Sequence, residues 1–130
     1  MDPLSEADHG LIDAAEAMLR EHHDPRLHTT GAALRAASGA VYTAVSLKAE
    51  TAAADVHAEP VAVARARLDG ETAFETVAAV QFRDGTAETR VVSACGICRE
   101  VLSRQAPDVS VVVERDGELG KQSLAALLPD

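Results

Sequence analysis

Two short motifs, His57-Ala58-Glu59 and Cys95-Gly96-Ile97-Cys98, constrain this 130-residue chain more than any other feature of its sequence. The chain has only these two cysteines, and they lie three residues apart. Each motif stands at the start of a segment with helical character, so the two thiols, as i and i+3, face the same side of one helical turn. A fold that uses both motifs must bring two neighbouring helix starts together.

The side chains of the two motifs form a donor set that suits a catalytic zinc ion. Two thiolates and one neutral imidazole match the ligand preference of zinc and cancel its charge, so His57, Cys95 and Cys98 are the candidate ligands. Three protein ligands leave the fourth coordination position open for water. Glu59 is the candidate catalytic residue, because a carboxylate beside such a site can take a proton from that water and return it later.

Other interpretations of the same residues remain open. A CxxC pair by itself is also typical of a redox-active dithiol. A structural zinc site would need a fourth ligand, and a zinc-bound but catalytically idle binding protein is a further alternative, against which the intact Glu59 argues. The remaining histidines show no obvious paired spacing with His57: His9, His22, His23 and His28.

Composition and charge restrict the partners of the chain. The formal net charge is −9 and the isoelectric point is near 4.9, which repels phosphate backbones and disfavours a nucleic-acid polymer as substrate. The first four residues are acidic rather than a basic lead into an apolar stretch, and no segment approaches a membrane span. We therefore expect a cytoplasmic protein that acts on a small molecule away from the membrane.

The pattern of apolar residues predicts one α/β domain over residues 1–130, with elements in the order α-β-β-α-β-α-β. Ser5 is the expected N-cap of the first helix, which ends before Asp24-Pro25. No strand is predicted around Val91-Val92 or after the turn at Asp116-Gly117. The later elements are a hairpin (31–47), a helix (57–68), a strand (74–82), a helix (95–104), a strand (109–113) and a short terminal element (124–128).

Together the motifs resemble the signature of the cytidine deaminase superfamily, H-x-E followed by P-C-x-x-C. The resemblance extends to the free-nucleoside cytidine deaminases and the blasticidin S deaminases through TTGAALRAASGAVYTAVSL (29–47), SACGICREVL (93–102) and LAALLPD (124–130). It implies a three-layer α/β/α fold with a mixed sheet of about five strands. It also implies one Zn²⁺ per chain and assembly into a homodimer or homotetramer.

The same resemblance suggests which residues contact the substrate. In such relatives the backbone N–H at the position of Ala58 holds the ring carbonyl, and the carbonyl at the position of Ser93 receives the leaving amine. His28 stands at the position of an aromatic residue that stacks on the pyrimidine. Ser46 and Lys48 stand where ribose-binding relatives carry Asn and Glu. Lys48 is either a solvated strand residue or a sign that the substrate lacks ordinary ribose or carries an anionic group.

The sequence thus predicts a zinc-dependent hydrolytic deaminase that converts an aminopyrimidine nucleoside or nucleobase, such as cytidine or deoxycytidine, to the carbonyl compound with release of ammonia. The alternative substrates are an aminopurine base, an s-triazine or a cytosine-containing nucleoside antibiotic. The sequence leaves open whether a sugar is required, and whether the last strand runs parallel or antiparallel to its neighbour.

Overall fold

The computed structural model describes residues 1–22 and 24–128 of the chain. His23 and the last two residues of the closing LAALLPD segment lie outside the described residues. The helices are α1 (Glu6–Glu21), α2 (Ala58–Leu68), α3 (Gly96–Gln105) and α4 (Leu124–Leu127), with a 3-10 turn at Ala52–Ala54. The strands are β1 (Thr30–Ala36), β2 (Val41–Val45), β3 (Phe74–Phe82), β4 (Thr89–Val91), β5 (Ser110–Arg115) and β6 (Glu118–Ser123). None of the helices within the described ranges has the length and apolar character needed to cross a membrane.

The strands form one mixed sheet in the order β2-β1-β3-β5-β6, with β4 pairing to the end of β3. Strand β3 runs antiparallel to β1 and parallel to β5, whereas β5 and β6 run antiparallel to each other. The mixed α/β fold predicted from the sequence is therefore confirmed. The sheet has six strands, where the apolar pattern predicts four and the family resemblance about five; the two strands that the pattern did not predict are β4 and β6. The direction that the sequence leaves open differs between the last two strands: β5 runs parallel to β3, and β6 runs antiparallel to β5.

Helices cover both faces of the sheet because the buried residues of its central strands alternate between the two faces. Leu11, Ala15 and Leu19 of α1 pack in one cluster with alternate residues of the sheet: Ala33, Ala78, Val80 and Val112. The intervening sheet residues pack with α2, α3 and α4 in a second cluster: Leu34, Val77, Val111 and Val113. Successive residues of a strand point to opposite faces, so the arrangement has three layers.

Helix α1 approaches the sheet closely at Gly31. A Cβ atom added to Gly31 would lie 2.4 Å from the carbonyl oxygen of Ala15 and 2.9 Å from the Cβ of Leu19. Only a residue without a side chain allows the helix to rest on β1 at this distance. The contact fixes the start of β1, which later forms one wall of the candidate site.

A buried carboxylate ties α1 to the sheet. Asp8 completes a capping box with Ser5 and is fully buried, and its oxygens accept hydrogen bonds from Arg35 (2.9 Å) and Lys121 (2.8 Å). Burial by itself would raise the pKa of Asp8, but the hydrogen bonds from Lys121, Ser5 and Arg35 outweigh it and hold that pKa well below its usual range. Asp8 is thus charged in the folded protein at neutral pH.

The substitution Asp8→Asn is expected to destabilise the fold by about 3 kcal/mol at pH 7, because it leaves two cations without their buried partner. A carboxylate with a lowered folded-state pKa stabilises the fold above its unfolded pKa, and this contribution is lost as the pH falls towards the folded value. The difference between wild type and variant should therefore be full above about pH 4 and shrink below it. Urea unfolding of the zinc-stripped proteins at pH 7 and pH 3 measures this difference in the free energy of unfolding. The control is Asp13→Asn, at an exposed position of the same helix. A difference that is constant with pH would contradict the assignment.

Candidate functional site

Two helix N-caps meet at the candidate site. His57 is the N-cap of α2 and Cys95 is the N-cap of α3, and neither side chain bonds to the backbone of its own helix. The His57 Nδ1 atom lies 3.1 Å from Cys95 Sγ and 3.3 Å from Cys98 Sγ. All three donor atoms lie within 4.8 Å of one another. The structure thus brings together the three side chains that the spacing of the motifs selected as candidate ligands.

The geometry and chemistry of this cluster fit a zinc ion. Tetrahedral zinc with ordinary Zn–N and Zn–S bonds separates its nitrogen and sulfur ligands by about 3.5 Å, within a few tenths of an ångström of the observed separations. Cys98 is buried, His57 is half-buried and Cys95 is exposed, so the cluster is closed towards the core and open towards solvent. That is the arrangement of a site with three protein ligands and one accessible position.

The electrostatics of the cluster also favour a bound cation. Burial raises the pKa of the Cys98 thiol, and the neighbouring Glu59 and Cys95 raise it further. Burial likewise raises the pKa of Glu59, against the lowering effect of hydrogen bonds from its own backbone N–H and from Cys98. Acidic groups that repel one another in a buried cluster are stabilised as anions by a divalent ion, which reverses these shifts.

The cluster lies at one side of a cavity of about 260 Å³. The cavity is bounded by the start of β1, the chain leaving β2, the segment before α2, the end of β3 and the segment before α3. Its volume is at the lower end of the range of roughly 300–1,000 Å³ that is usual for small-molecule sites. The space therefore suits a small heterocyclic compound rather than a polymer.

Most of the residues selected from the sequence line this cavity, and three do not. The predicted residues on its wall are His57, Glu59, Cys95, Ser46, Lys48 and Ser93. Cys98 lies behind the wall in the core, and Ala58 is fully buried at the first position of α2. The ring of His28 lies in an adjacent groove, where its Nδ1 is 2.7 Å from the carbonyl oxygen of Ser46.

Ser46 has a structural contact that the sequence did not indicate. Its hydroxyl is buried and accepts hydrogen bonds from the backbone N–H groups of Thr29 and Thr30, both at 3.0 Å. The bonds join the end of β2 to the start of β1 on the cavity wall. The Ser46 hydroxyl thereby satisfies the buried N–H of Thr30 and the partly buried N–H of Thr29.

A polar pair on the cavity wall, formed by Gln81 and Thr30, was not predicted from the sequence. Gln81 and Thr30 are cross-strand neighbours of β3 and β1, and the Gln81 amide donates to the Thr30 hydroxyl at 2.9 Å. Gln81 is the one polar residue between Ala78 and Phe82 in an otherwise apolar stretch of strand. That interruption was the available signal, since a polar side chain on a buried strand requires a partner or a ligand.

Arg99 holds the segment that carries Cys95 in place through two hydrogen bonds. Its guanidinium donates to the carbonyl oxygen of Ala94 at 2.8 Å and to that of Leu127 at 3.0 Å. The residue before the first cysteine is thereby fixed against α4. Arg99 is a positioning residue for the cysteine turn, and no local pattern predicts its bond to Leu127, 28 positions away.

No family model matches this chain. It is 34% identical to the blasticidin-S deaminase of Bacillus cereus over 129 residues, which cover 97% of this chain and 92% of that protein. The chain belongs to the cytidine deaminase-like superfamily. The predicted family is therefore confirmed, as is the prediction that the chain is a hydrolytic enzyme, since its relatives are named deaminases.

Solved structures support membership of the cytidine deaminase-like superfamily. The cytidine deaminase of Burkholderia pseudomallei is 27% identical and superposes with a TM-score of 0.76 over 98% of both chains. The cytidine deaminase of Mycobacterium leprae is 21% identical and has a TM-score of 0.76 over 98% of this chain and 100% of its own. The second likeness concerns the fold alone.

Proposed function

We propose that this chain is a zinc-dependent hydrolytic deaminase of a cytidine-like aminopyrimidine nucleoside or nucleobase. The observation that carries the proposal is the meeting of His57, Cys95 and Cys98 beside the buried Glu59 on the wall of one cavity. The relationship to the blasticidin-S deaminase favours a second candidate substrate, a cytosine-containing nucleoside antibiotic. A cytoplasmic location, a single domain and assembly into a homodimer or homotetramer stay predictions.

His57, Cys95 and Cys98 would hold one zinc ion per chain through the three donor atoms that face one another. Bound zinc lowers the pKa of a water ligand towards ~7 and so supplies a nucleophile at neutral pH. The chain contributes the fixed backbone of two helix starts, and Arg99 holds the turn that carries the first thiol.

Glu59 would move the protons of the reaction. The residue is 5% exposed and lines the cavity, and its carboxyl group lies beside Cys98. In hydrolytic deamination the oxygen of water bonds to the ring carbon that bears the amino group, and the bond from that carbon to nitrogen breaks. Glu59 takes the first proton of the water and delivers it to the ring nitrogen, then takes the second proton from the new hydroxyl group and delivers it to the departing amine, which leaves as ammonia. A carbonyl group remains on the ring.

Backbone groups at the two helix starts would orient the ring. The N–H groups of the first turn of α2, including that of Ala58, have no partner within the helix and attract a carbonyl oxygen. The Ser93 carbonyl would accept a hydrogen bond from the leaving amine, since Ser93 lines the cavity. Ser46 and Lys48 would contact the sugar side of the substrate. A stacking contact from His28 requires its ring to leave the bond to Ser46.

Reaction in H₂¹⁸O tests the proposed chemistry. Zinc-loaded protein is expected to convert cytidine, or blasticidin S under the second candidate, to a product with one ¹⁸O atom in the new carbonyl and one ammonia per turnover. Mass spectrometry and an ammonia assay measure the two quantities, and the comparison of the two compounds decides between the candidate substrates. A product without ¹⁸O, or turnover without ammonia, would show that the reaction is not a hydrolytic deamination.

A further inference from the structure

We propose that the substrate carries an anionic group, a carboxylate or a phosphate, on its sugar side, and that Lys48 binds this group. The inference rests on the proposed function and identifies the class of substrate for the same site. Lys48 lines the cavity that also contains His57 and Glu59. Glu59 is buried whereas Lys48 is exposed, so Lys48 lies at the mouth. A ring that enters with its amino group towards Glu59 leaves its sugar substituent at the mouth, near Lys48.

The backbone that carries Lys48 is fixed on both sides. Leu47 and Val56 form an antiparallel bridge through two hydrogen bonds of 2.8 and 2.9 Å. The Lys48 N–H donates to the Leu27 carbonyl at 2.8 Å, and the Ala49 N–H donates to an Asp55 carboxylate oxygen at 2.7 Å. Three consecutive residues are therefore held in place directly beside the segment that leads into His57. A cation on a fixed backbone loses less freedom when it binds a ligand.

Lys48 carries the positive charge of a cavity wall that also holds the carboxylates of Asp55 and Glu59. Lys48 is the one lysine or arginine on the cavity wall, and within the described residues it forms no ion pair. The other lysine of the chain, Lys121, is bound to Asp8 at 2.8 Å. The protein carries a net charge of −9, so an anionic substrate would be repelled without a local cation at the mouth. Lys48 supplies that cation.

The two anions differ in size and charge. A carboxylate on the sugar adds fewer atoms and less charge than a phosphate. Both groups would bind an ammonium in the same way, so the experiment includes one compound of each kind.

Steady-state kinetics of cytidine, cytidine 5′-carboxylate and cytidine 5′-monophosphate test the inference. The wild-type kcat/KM is expected to be higher for at least one of the two anions than for cytidine. Lys48→Ala should raise the KM for that anion about tenfold more than the KM for cytidine, with a similar kcat. Lys48→Glu should raise the KM for the anion further. In 0.5 M salt the difference in KM for the anion between wild type and Lys48→Ala should shrink, because salt screens the charge. Arg115→Ala, an exposed position outside the cavity wall, controls for the loss of one positive charge.

The outcomes separate this inference from the proposed function. Turnover of cytidine without any preference for an anion, or equal effects of Lys48→Ala on all three compounds, would overturn the inference and leave the function standing. In that case Lys48 only offsets the carboxylates of Asp55 and Glu59. A lack of turnover of cytidine and both anions by zinc-loaded wild type would count against the proposed function itself, and the inference would fall with it.

Discussion

Replacement of Glu59 by Gln is expected to lower deaminase turnover on the order of 10⁴-fold while the protein keeps about one zinc ion per chain. Glutamine has nearly the same size as glutamate and fits the same buried position on the cavity wall. Its amide cannot take a proton from water or deliver one to the ring nitrogen. The three candidate ligands are unchanged in this variant, so binding of the metal and chemistry are separated.

Measurements of kcat and of metal content on the same samples test this expectation. The matched control is Glu100→Gln, which removes the same charge from an exposed position of α3. It should leave turnover within a few-fold of wild type, as surface substitutions usually do. If Glu59→Gln retains more than a tenth of the wild-type kcat, Glu59 is not the proton carrier and the mechanism is wrong.

The second large effect is expected from Cys95→Ser. The substitution removes one of three candidate ligands, so the zinc content should fall far below one ion per chain. Because bound metal stabilises only the folded state, the loss should cost the fold about 4 kcal/mol at a free zinc concentration a thousand times the dissociation constant. Cys95 is exposed, so little of this cost comes from lost packing.

Urea unfolding with and without a zinc chelator measures this effect. Cys95→Ser should unfold at the same urea concentration as chelator-treated wild type, and the chelator should not change it further. Cys98→Ser is the informative companion, since Cys98 is buried among Leu102, Ala62 and other core residues and should lose packing as well as zinc. A wild type whose stability does not respond to the chelator would contradict a zinc site at these cysteines.

Much of the fold could be predicted because its signals are local. The N-cap Ser5, the strand Phe74–Phe82 and the helix starts beside His57 and Cys95 all follow from short-range patterns. Strand β4 has three residues, and β6 has the largely exposed sequence ELGKQS. Neither has an alternating apolar pattern, since each lies at an edge and depends on its neighbour for pairing. These two strands were therefore missed.

In the candidate site, too, features encoded by local motifs could be predicted, whereas contacts between residues distant in the sequence could not. The ligand cluster could be predicted from residue types and spacing alone. The pair formed by Gln81 and Thr30 joins residues 51 positions apart, and the bond from Lys121 to Asp8 spans 113 positions. Such contacts depend on which strands become neighbours, and no local pattern specifies this. The same limit applies to His28, whose Nδ1 lies 2.7 Å from the carbonyl oxygen of Ser46, 18 positions away in the sequence.

Ammonia release by zinc-assayed protein tests the central claim most directly. The panel is cytidine, deoxycytidine, cytosine, guanine, adenosine, ammeline and blasticidin S, with Glu59→Gln as the blank. We expect release from one or more of the cytosine-containing compounds, at a rate that falls to background in the blank. No release from any compound by protein that contains zinc, or equal release by the blank, would contradict a deaminase that uses Glu59.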